Sequence, residues 1–302
     1  MKSTGKPKLV AIVGPTASGK TSLSIALAKK FGGEIISADS RQVYRGMDIG
    51  TGKVTKREMR GIPHYLLNVA TPPKIFTVTQ YQKLGRRAIA KIVARKKLPI
   101  VVGGTGLYVD ALIQSHALPT VPPDSALRKK LGAQSPAMLF AQLQKLDPRR
   151  AASIDRHNPR RLVRALEIIL TTKRPVPTWE ETHGSKSDYD TLTLGVKISE
   201  KKLRENIHRR FIARLRHGMV REVARLHENS VSWRRLESFG LEYRYLAQYL
   251  QGKLKKPAMT QKLETEIRHY AKRQMTWFKR DKTIHWVKNA MEAERVIRRF
   301  LK

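Results

Sequence analysis

Eight residues near the amino terminus, Gly14-Pro15-Thr16-Ala17-Ser18-Gly19-Lys20-Thr21, fit the pattern G-x-x-x-x-G-K-[ST]. Such a loop, set between a strand and a helix, turns backbone N–H groups and a helix N-terminus toward anionic oxygens. Lys20 adds a point charge, and the Thr21 hydroxyl is a potential ligand for magnesium. Two linked phosphates are the minimum ligand, which leaves ATP, GTP and isoprenoid diphosphates equally open. A second candidate is Asp39, within Ser37-Ala38-Asp39-Ser40-Arg41-Gln42-Val43-Tyr44, where it closes an apolar run. In a parallel sheet, strand ends line the ligand crevice. A carboxylate there could act as general base toward a bound acceptor, ligate magnesium, or cap the next turn. A third cluster, Arg160, Arg161 and Arg164, has helical spacing, with Leu162, Val163, Leu166 and Ile169 supplying an apolar side. It fits either a phosphate-contacting surface or a solvated basic face.

The elements that must position these groups are legible from periodicity. Leu9 to Val13 reads as a buried strand, Gly14 to Thr21 as a turn, and Ser22 to Phe31 as a helix stopped by Gly32-Gly33. Glu34 to Ala38 and Leu98 to Val102 read as further strands, the latter ending in the turn Gly103-Gly104-Thr105-Gly106. Alternating strands and helices imply an α/β fold with a mainly parallel sheet. From about 119 to 190 the texture changes to Pro122-Pro123, helical segments at Ala137 to Leu146 and Arg160 to Leu170, and a polar stretch from Thr182 to Asp190. This region is expected to be an inserted helical subdomain, between core segments 1–118 and 191–302. Thr191 to Ile198 should return to the sheet, followed by helices over Lys201 to Asn229 and Glu264 to Arg280 with basic outer faces. Trp277, Phe278, Trp233 and Trp286 are read as core.

Composition narrows the partner. The 302 residues include 61 Lys and Arg against 24 Asp and Glu, a formal charge of +37. That excess exceeds what solubility needs and points to a polyanion, with nucleic acid ahead of a membrane surface. It is spread through periodic, apolar-containing segments, which favours a broad basic face on a folded body over a detachable arm. Without cysteine there are no disulfides or thiolate metal sites. The apolar run Leu9 to Val13 is too short for a signal peptide, and no stretch of about 18 apolar residues suggests a membrane span. The expectation is a cytoplasmic enzyme.

Taken in order, several segments resemble the tRNA dimethylallyltransferase family. They are Gly14 to Thr21, Asp39-Ser40 through Val43-Tyr44-Arg45-Gly46-Met47-Asp48-Ile49-Gly50-Thr51, Pro63-His64-Tyr65, and Gly103-Gly104-Thr105-Gly106-Leu107-Tyr108. Asn158-Pro159-Arg160-Arg161 through Glu167 and Ala271-Lys272-Arg273-Gln274-Met275-Thr276-Trp277-Phe278-Lys279-Arg280 extend the likeness over nearly the whole chain. One departure lies in Phe239-Gly240-Leu241-Glu242-Tyr243-Arg244, where the commoner pattern has Gly directly before Tyr.

The resemblance implies a P-loop NTPase-like sheet with an inserted tRNA-binding subdomain and a helical C-terminal region, in a bacterial-type member without the zinc finger of some eukaryotic relatives. It implies that the phosphate loop holds dimethylallyl diphosphate and that the exocyclic amine of an adenine beside the anticodon displaces pyrophosphate. Asp39 would position the amine and accept its proton, Thr105 would face the same channel, and Lys20, Arg210 and magnesium on Thr21 would stabilise the leaving group. The anticodon stem-loop would meet Asp39, Ser40, Arg41, Gln42, Thr105, Arg128, Arg160, Arg161, Leu162, Val163, Arg164, Lys272, Arg273 and Arg280. A monomer is expected. A kinase or prenyltransferase acting on free adenine nucleotides, or a non-catalytic RNA-binding NTPase, would share the loop but leave the distributed charge or Asp39 without a task.

Overall fold

Alternate residues of the first strand serve two different cores. In the computed structural model, which describes residues 5–114, 121–177 and 187–302, β1 (Lys8–Val13) points Leu9, Ala11 and Val13 to one side and Val10 and Ile12 to the other, all fully buried. A strand covered on both faces is the mark of a parallel α/β sheet. β1, β2 (Gly33–Ser37), β3 (His64–Tyr65), β4 (Leu98–Gly103), β5 (Asp190–Val196) and β6 (His285–Val287) form one sheet in the order β3-β2-β4-β1-β5-β6. Every pairing is parallel, with Val13 opposite Gly103 and Ser37 opposite Val102. The carboxyl ends of β1, β4 and β2 therefore finish side by side.

One face is covered by α1 (Lys20–Phe31) and by the final helix α14 (Ala290–Leu301), through Ile25, Leu27, Ala28, Ala293 and Ile297. Between β2 and β4 lie α2 (Lys56–Met59) and α3 (Val78–Ala94), each opened by a capping box, Thr55 with Glu58 and Thr77 with Gln80. After α4 (Gly106–Ile113) the chain leaves the sheet. It returns at β5 and continues through α9 (Glu200–Arg216), α10 (Met219–Glu228), α11 (Trp233–Ser238), α12 (Leu241–Leu250) and α13 (Lys256–Phe278). The continuous helix expected from Lys201 to Asn229 is thus two. Gly218, at φ +95°, turns the chain between them, and Met219, fully buried, directs α10 into the core. The last long helix also begins earlier than expected, at Lys256, where Pro257 in its first turn needs no hydrogen-bonded N–H. Phe278 is buried, and Trp233, Trp277 and Trp286 are partly buried against the main core. Of the polar stretch Thr182 to Asp190, residues 182–186 lie outside the described residues.

The structure divides into two units, one of Met1–Ile113 with Ser187–Lys302 and one of Gln114–Lys186. The described part of the second is helical: α5 (Ser125–Gly132), α6 (Pro136–Leu146), α7 (Pro148–Ser153) and α8 (Pro159–Thr172), around Leu131, Leu139, Leu143, Leu162 and Leu166. Its organising polar residue is Glu167, whose side chain has no exposure. The Glu167 carboxylate accepts from Arg128 Nε and Nη2 at 2.7 and 2.8 Å, from Arg164 Nη1 at 2.6 Å, and from the Asp124 N–H at 2.8 Å. Burial alone would raise the Glu167 pKa, but the two guanidiniums and the N–H outweigh it and hold it at about 2. The stability this group contributes is present above its ordinary value of 4.5 and is lost as pH falls toward about 2. Glu167→Ala is expected to destabilise this unit by about 3 kcal/mol, the low end for a broken buried pair because both guanidiniums reach solvent. Urea unfolding followed by a probe within 114–186 measures the loss, and an unchanged midpoint would contradict it.

Candidate active site

The phosphate loop leaves β1 at Gly14 and enters α1 at Lys20, with Ala17 held at φ +61°. A left-handed alanine costs free energy, so the surrounding contacts must impose it. Asn206 Nδ2, on α9, donates to the Ala17 carbonyl at 3.1 Å, while the Thr16 N–H donates to Gln274 Oε1 at 2.8 Å. Within this frame Ser18 Oγ is buried and, among the described residues, has no hydrogen-bond partner. A buried hydroxyl left so is suited to an anion's oxygen. A cavity of about 450 Å³ opens against the loop, walled by Ser18 to Ser22, by Glu58 of α2 and Arg60 at its end, and by Asn206, Arg209 and Arg210 of α9.

Lys20 Nζ donates to the Pro15 carbonyl at 2.6 Å. Burial first, and the Arg210 charge second, push its pKa down to about 7, with Asp39 pulling the other way. Burial and the neighbouring Arg214 likewise lower Arg210. Two cations crowded around an anion-sized space form a site that a diphosphate would relax. In the free protein, Lys20 makes stability rise with pH between about 7 and 10.5, because the unfolded chain holds the extra proton there. An anion restores the charged form. Pyrophosphate binding is therefore expected to take up a proton and to weaken as pH rises past about 7. Calorimetry in buffers of different ionisation enthalpy reads the uptake, and an absence of proton exchange would contradict the assignment.

Asp39 and Thr105 stand outside that cavity wall, at the neighbouring strand ends. The Ala38 N–H donates to Val102 O at 2.7 Å and the Thr105 N–H to Ala38 O at 3.3 Å, which ties the two loops together. Asp39 Oδ1 accepts from the N–H groups of Arg41 and Gln42 at 2.8 and 3.3 Å, so one oxygen caps the turn. Thr105 Oγ1 accepts from the Ser40 N–H at 3.2 Å. Asp39 also raises the pKa of Tyr270, on α13, after the larger effect of burial. The structure thus brings together Asp39, Ser40, Arg41, Gln42 and Thr105, next to a loop containing Lys20.

The arginines of the second unit separate into two kinds. Arg160 and Arg161 are exposed, whereas Arg128 and Arg164 are committed to Glu167. Leu162 is fully buried in that unit's core and Val163 packs against it, as the apolar side of the arginine-bearing helix. On α13, Lys272 and Arg273 are exposed, and beyond its end Arg280 lies over the Trp277 ring at 4.2 Å.

Residues 42–281 match the family model described as IPP transferase. The chain belongs to that family. A relative from Citrifermentans bemidjiense, tRNA dimethylallyltransferase 2, is 44% identical over 285 residues, covering 93% of this chain and 90% of its own. The crystal structure of the full-length tRNA isopentenylpyrophosphate transferase from Bacillus halodurans superposes with a TM-score of 0.74 at 37% identity, over 98% of this chain and 97% of that one. A eukaryotic dimethylallyltransferase acting on tRNA gives 0.80 at 28% identity, over 93% and 74%.

In this IPP transferase-family chain, sequence reasoning overlooked Arg60, Asn206, Arg209 and Gln274. Asn206 and Arg210 are four apart on α9 and so share a face, a signal that points to the cavity once Arg210 is chosen. Gln274 carried a weaker signal, a polar residue between Ala271 and Phe278 on the buried side of a helix. The departure at Gly240 to Tyr243 leads into α12, where the Tyr243 hydroxyl donates to the buried Glu222 at 2.8 Å. Glu222 in turn accepts from the N–H groups of Asp48, Ile49 and Gly50.

Proposed function

We propose that this chain transfers a dimethylallyl group from dimethylallyl diphosphate to the exocyclic N6 of the adenosine beside the anticodon of tRNA, as a cytoplasmic monomer. What supports the reading most is that an anion cradle holding Lys20 and a carboxylate–hydroxyl pair, Asp39 and Thr105, end adjacent strands and are tied through backbone hydrogen bonds. The phosphate loop and Arg210 hold the donor's diphosphate. The adenine amine attacks the allylic carbon, an N–C bond forms as the C–O bond breaks, and pyrophosphate leaves with the bonding pair. The amine's proton passes to the Asp39 oxygen left over from capping. Thr105, fixed by Ser40, orients the base.

Magnesium fits the donor set. Thr21 is an exposed hydroxyl in the cavity wall, and among the described residues no cluster of three or more His, Cys, Asp or Glu competes for a metal. Thr21 would hold the ion together with diphosphate oxygens and water. When bound, the ion would supply positive charge that offsets the charge of the leaving pyrophosphate.

Charge argues for a polymeric acceptor. A free nucleotide needs a few cations in one pocket, whereas the excess here reaches exposed Arg160, Arg161, Lys272 and Arg273. Among the described residues no helix is long and apolar enough to cross a membrane. tRNA with an accessible adenine should be prenylated far more efficiently than AMP, and only the tRNA reaction should fall steeply with salt. Equal efficiencies at every salt concentration would favour a free-nucleotide prenyltransferase, and phosphate transfer from ATP a kinase.

A further inference from the structure

Gln274 takes no part in the chemistry described so far, yet it is only 6% exposed and both halves of its amide are used. Its Oε1 accepts the Thr16 N–H at 2.8 Å, and its Nε2 donates to the Gly104 carbonyl at 2.8 Å. One side chain therefore joins the loop after β1 to the loop after β4. The fit requires glycine: a Cβ on residue 104 would come within 2.2 Å of Gln274 Nε2. One turn along α13, Trp277 Nε1 donates to Asp110 Oδ2 at 3.0 Å and lies against Gly106, so the helix grips the Thr105 loop on both sides of Thr105.

Packing alone does not ask for an amide at this position. Ile267, Ala271 and Phe278 of the same helix are buried, and an apolar residue of similar shape would fill the space without the desolvation cost of a polar group. The bridge also claims Thr16 N–H, a phosphate-loop donor that would otherwise be open to an anion. Fixing it sets the position of that loop relative to Thr105.

We infer that Gln274 is a positioning residue that holds the donor's phosphate loop and the Thr105 loop in the register needed for the amine to reach the allylic carbon. The inference rests on the transferase reading above. Each loop keeps its own ligand contacts without the bridge, so its loss should appear in turnover and not in binding. A misplacement of about 1 Å between reacting groups costs on the order of 10²-fold in rate.

Two variants test it, with pyrophosphate affinity, tRNA affinity and single-turnover prenyl transfer measured in each. Gln274→Met keeps the volume and removes both hydrogen bonds; its turnover should fall about 10²-fold while both affinities stay within about 3-fold of wild type. Gln274→Glu is the decisive variant, and it covers the case in which the Met protein folds poorly. Protonated, its carboxyl offers one donor and one acceptor and can rebuild the bridge; ionised, it turns an oxygen on the Gly104 carbonyl. Its turnover relative to wild type should therefore climb as pH falls. Lys20 and Asp110, whose pKa values burial moves to about 7 and about 6, are common to both proteins and drop out of that ratio. A pH-independent ratio, or a Met variant that loses affinity and turnover in equal measure, would overturn the inference and leave Gln274 as a brace. Absence of prenyl transfer by the wild-type protein would instead overturn the transferase reading beneath it.

Discussion

Asp39→Asn is expected to lower prenyl-transfer turnover by about 10²-fold or more while pyrophosphate affinity stays within a few fold. Asparagine is the informative replacement because Asp39 has two duties. Its Oδ1 caps the turn through the N–H groups of Arg41 and Gln42, and an asparagine oxygen accepts those bonds equally well. What asparagine lacks is an oxygen that can take the proton of the attacking amine. Asp39→Ala removes the cap as well, so the Ser40–Thr105 hydrogen bond that follows the turn should loosen and tRNA affinity should fall in addition. The difference between the two variants separates the turn from the chemistry. An Asn variant of near-normal turnover would make Asp39 a cap and nothing more.

The second large effect falls on the leaving group. Arg210→Ala is expected to cost on the order of 10²-fold in turnover, the usual loss when a preorganised donor to a developing anion is removed. It should carry a signature that a general loss of packing would not. Arg210 is the second cause, after burial, of the low Lys20 pKa, so its removal should raise that pKa. The pH above which pyrophosphate binding weakens should then shift upward from about 7. Unchanged turnover together with an unshifted binding profile would remove Arg210 from the site. Arg209, whose Nη2 donates to Asn206 Oδ1 at 2.6 Å, lines the same cavity and serves as the neighbouring control.

The phosphate loop was legible because its signal is local. A glycine-bounded loop between an apolar run and a helix constrains backbone and ligand together, and β1, the loop and α1 lie where the pattern puts them. Asp39 and Thr105 were legible as candidates but not as geometry. Asp39 and Thr105 are 66 positions apart, and only the insertion of β4 between β1 and β2 brings their loops into contact. Gln274 was harder still, since its role depends on an amide meeting two loops more than 160 residues away in the chain. Helical spacing likewise cannot reveal that the buried Glu167 accepts hydrogen bonds from Arg128 and Arg164, which still reach solvent, and from neither Arg160 nor Arg161. The break at Gly218 was hidden for a similar reason: basic residues continue on both sides of it and mask the change of direction.

The proposed reaction moves a prenyl group from a diphosphate to an adenine of tRNA. Nucleosides prepared from tRNA after incubation with the protein, magnesium and dimethylallyl diphosphate, and analysed by mass spectrometry, test it most directly. The expected result is an adenosine carrying one dimethylallyl group on N6, found beside the anticodon, with pyrophosphate released in equal amount. Unmodified adenosine at that position after prolonged incubation of folded, pyrophosphate-binding protein with both substrates would contradict the account.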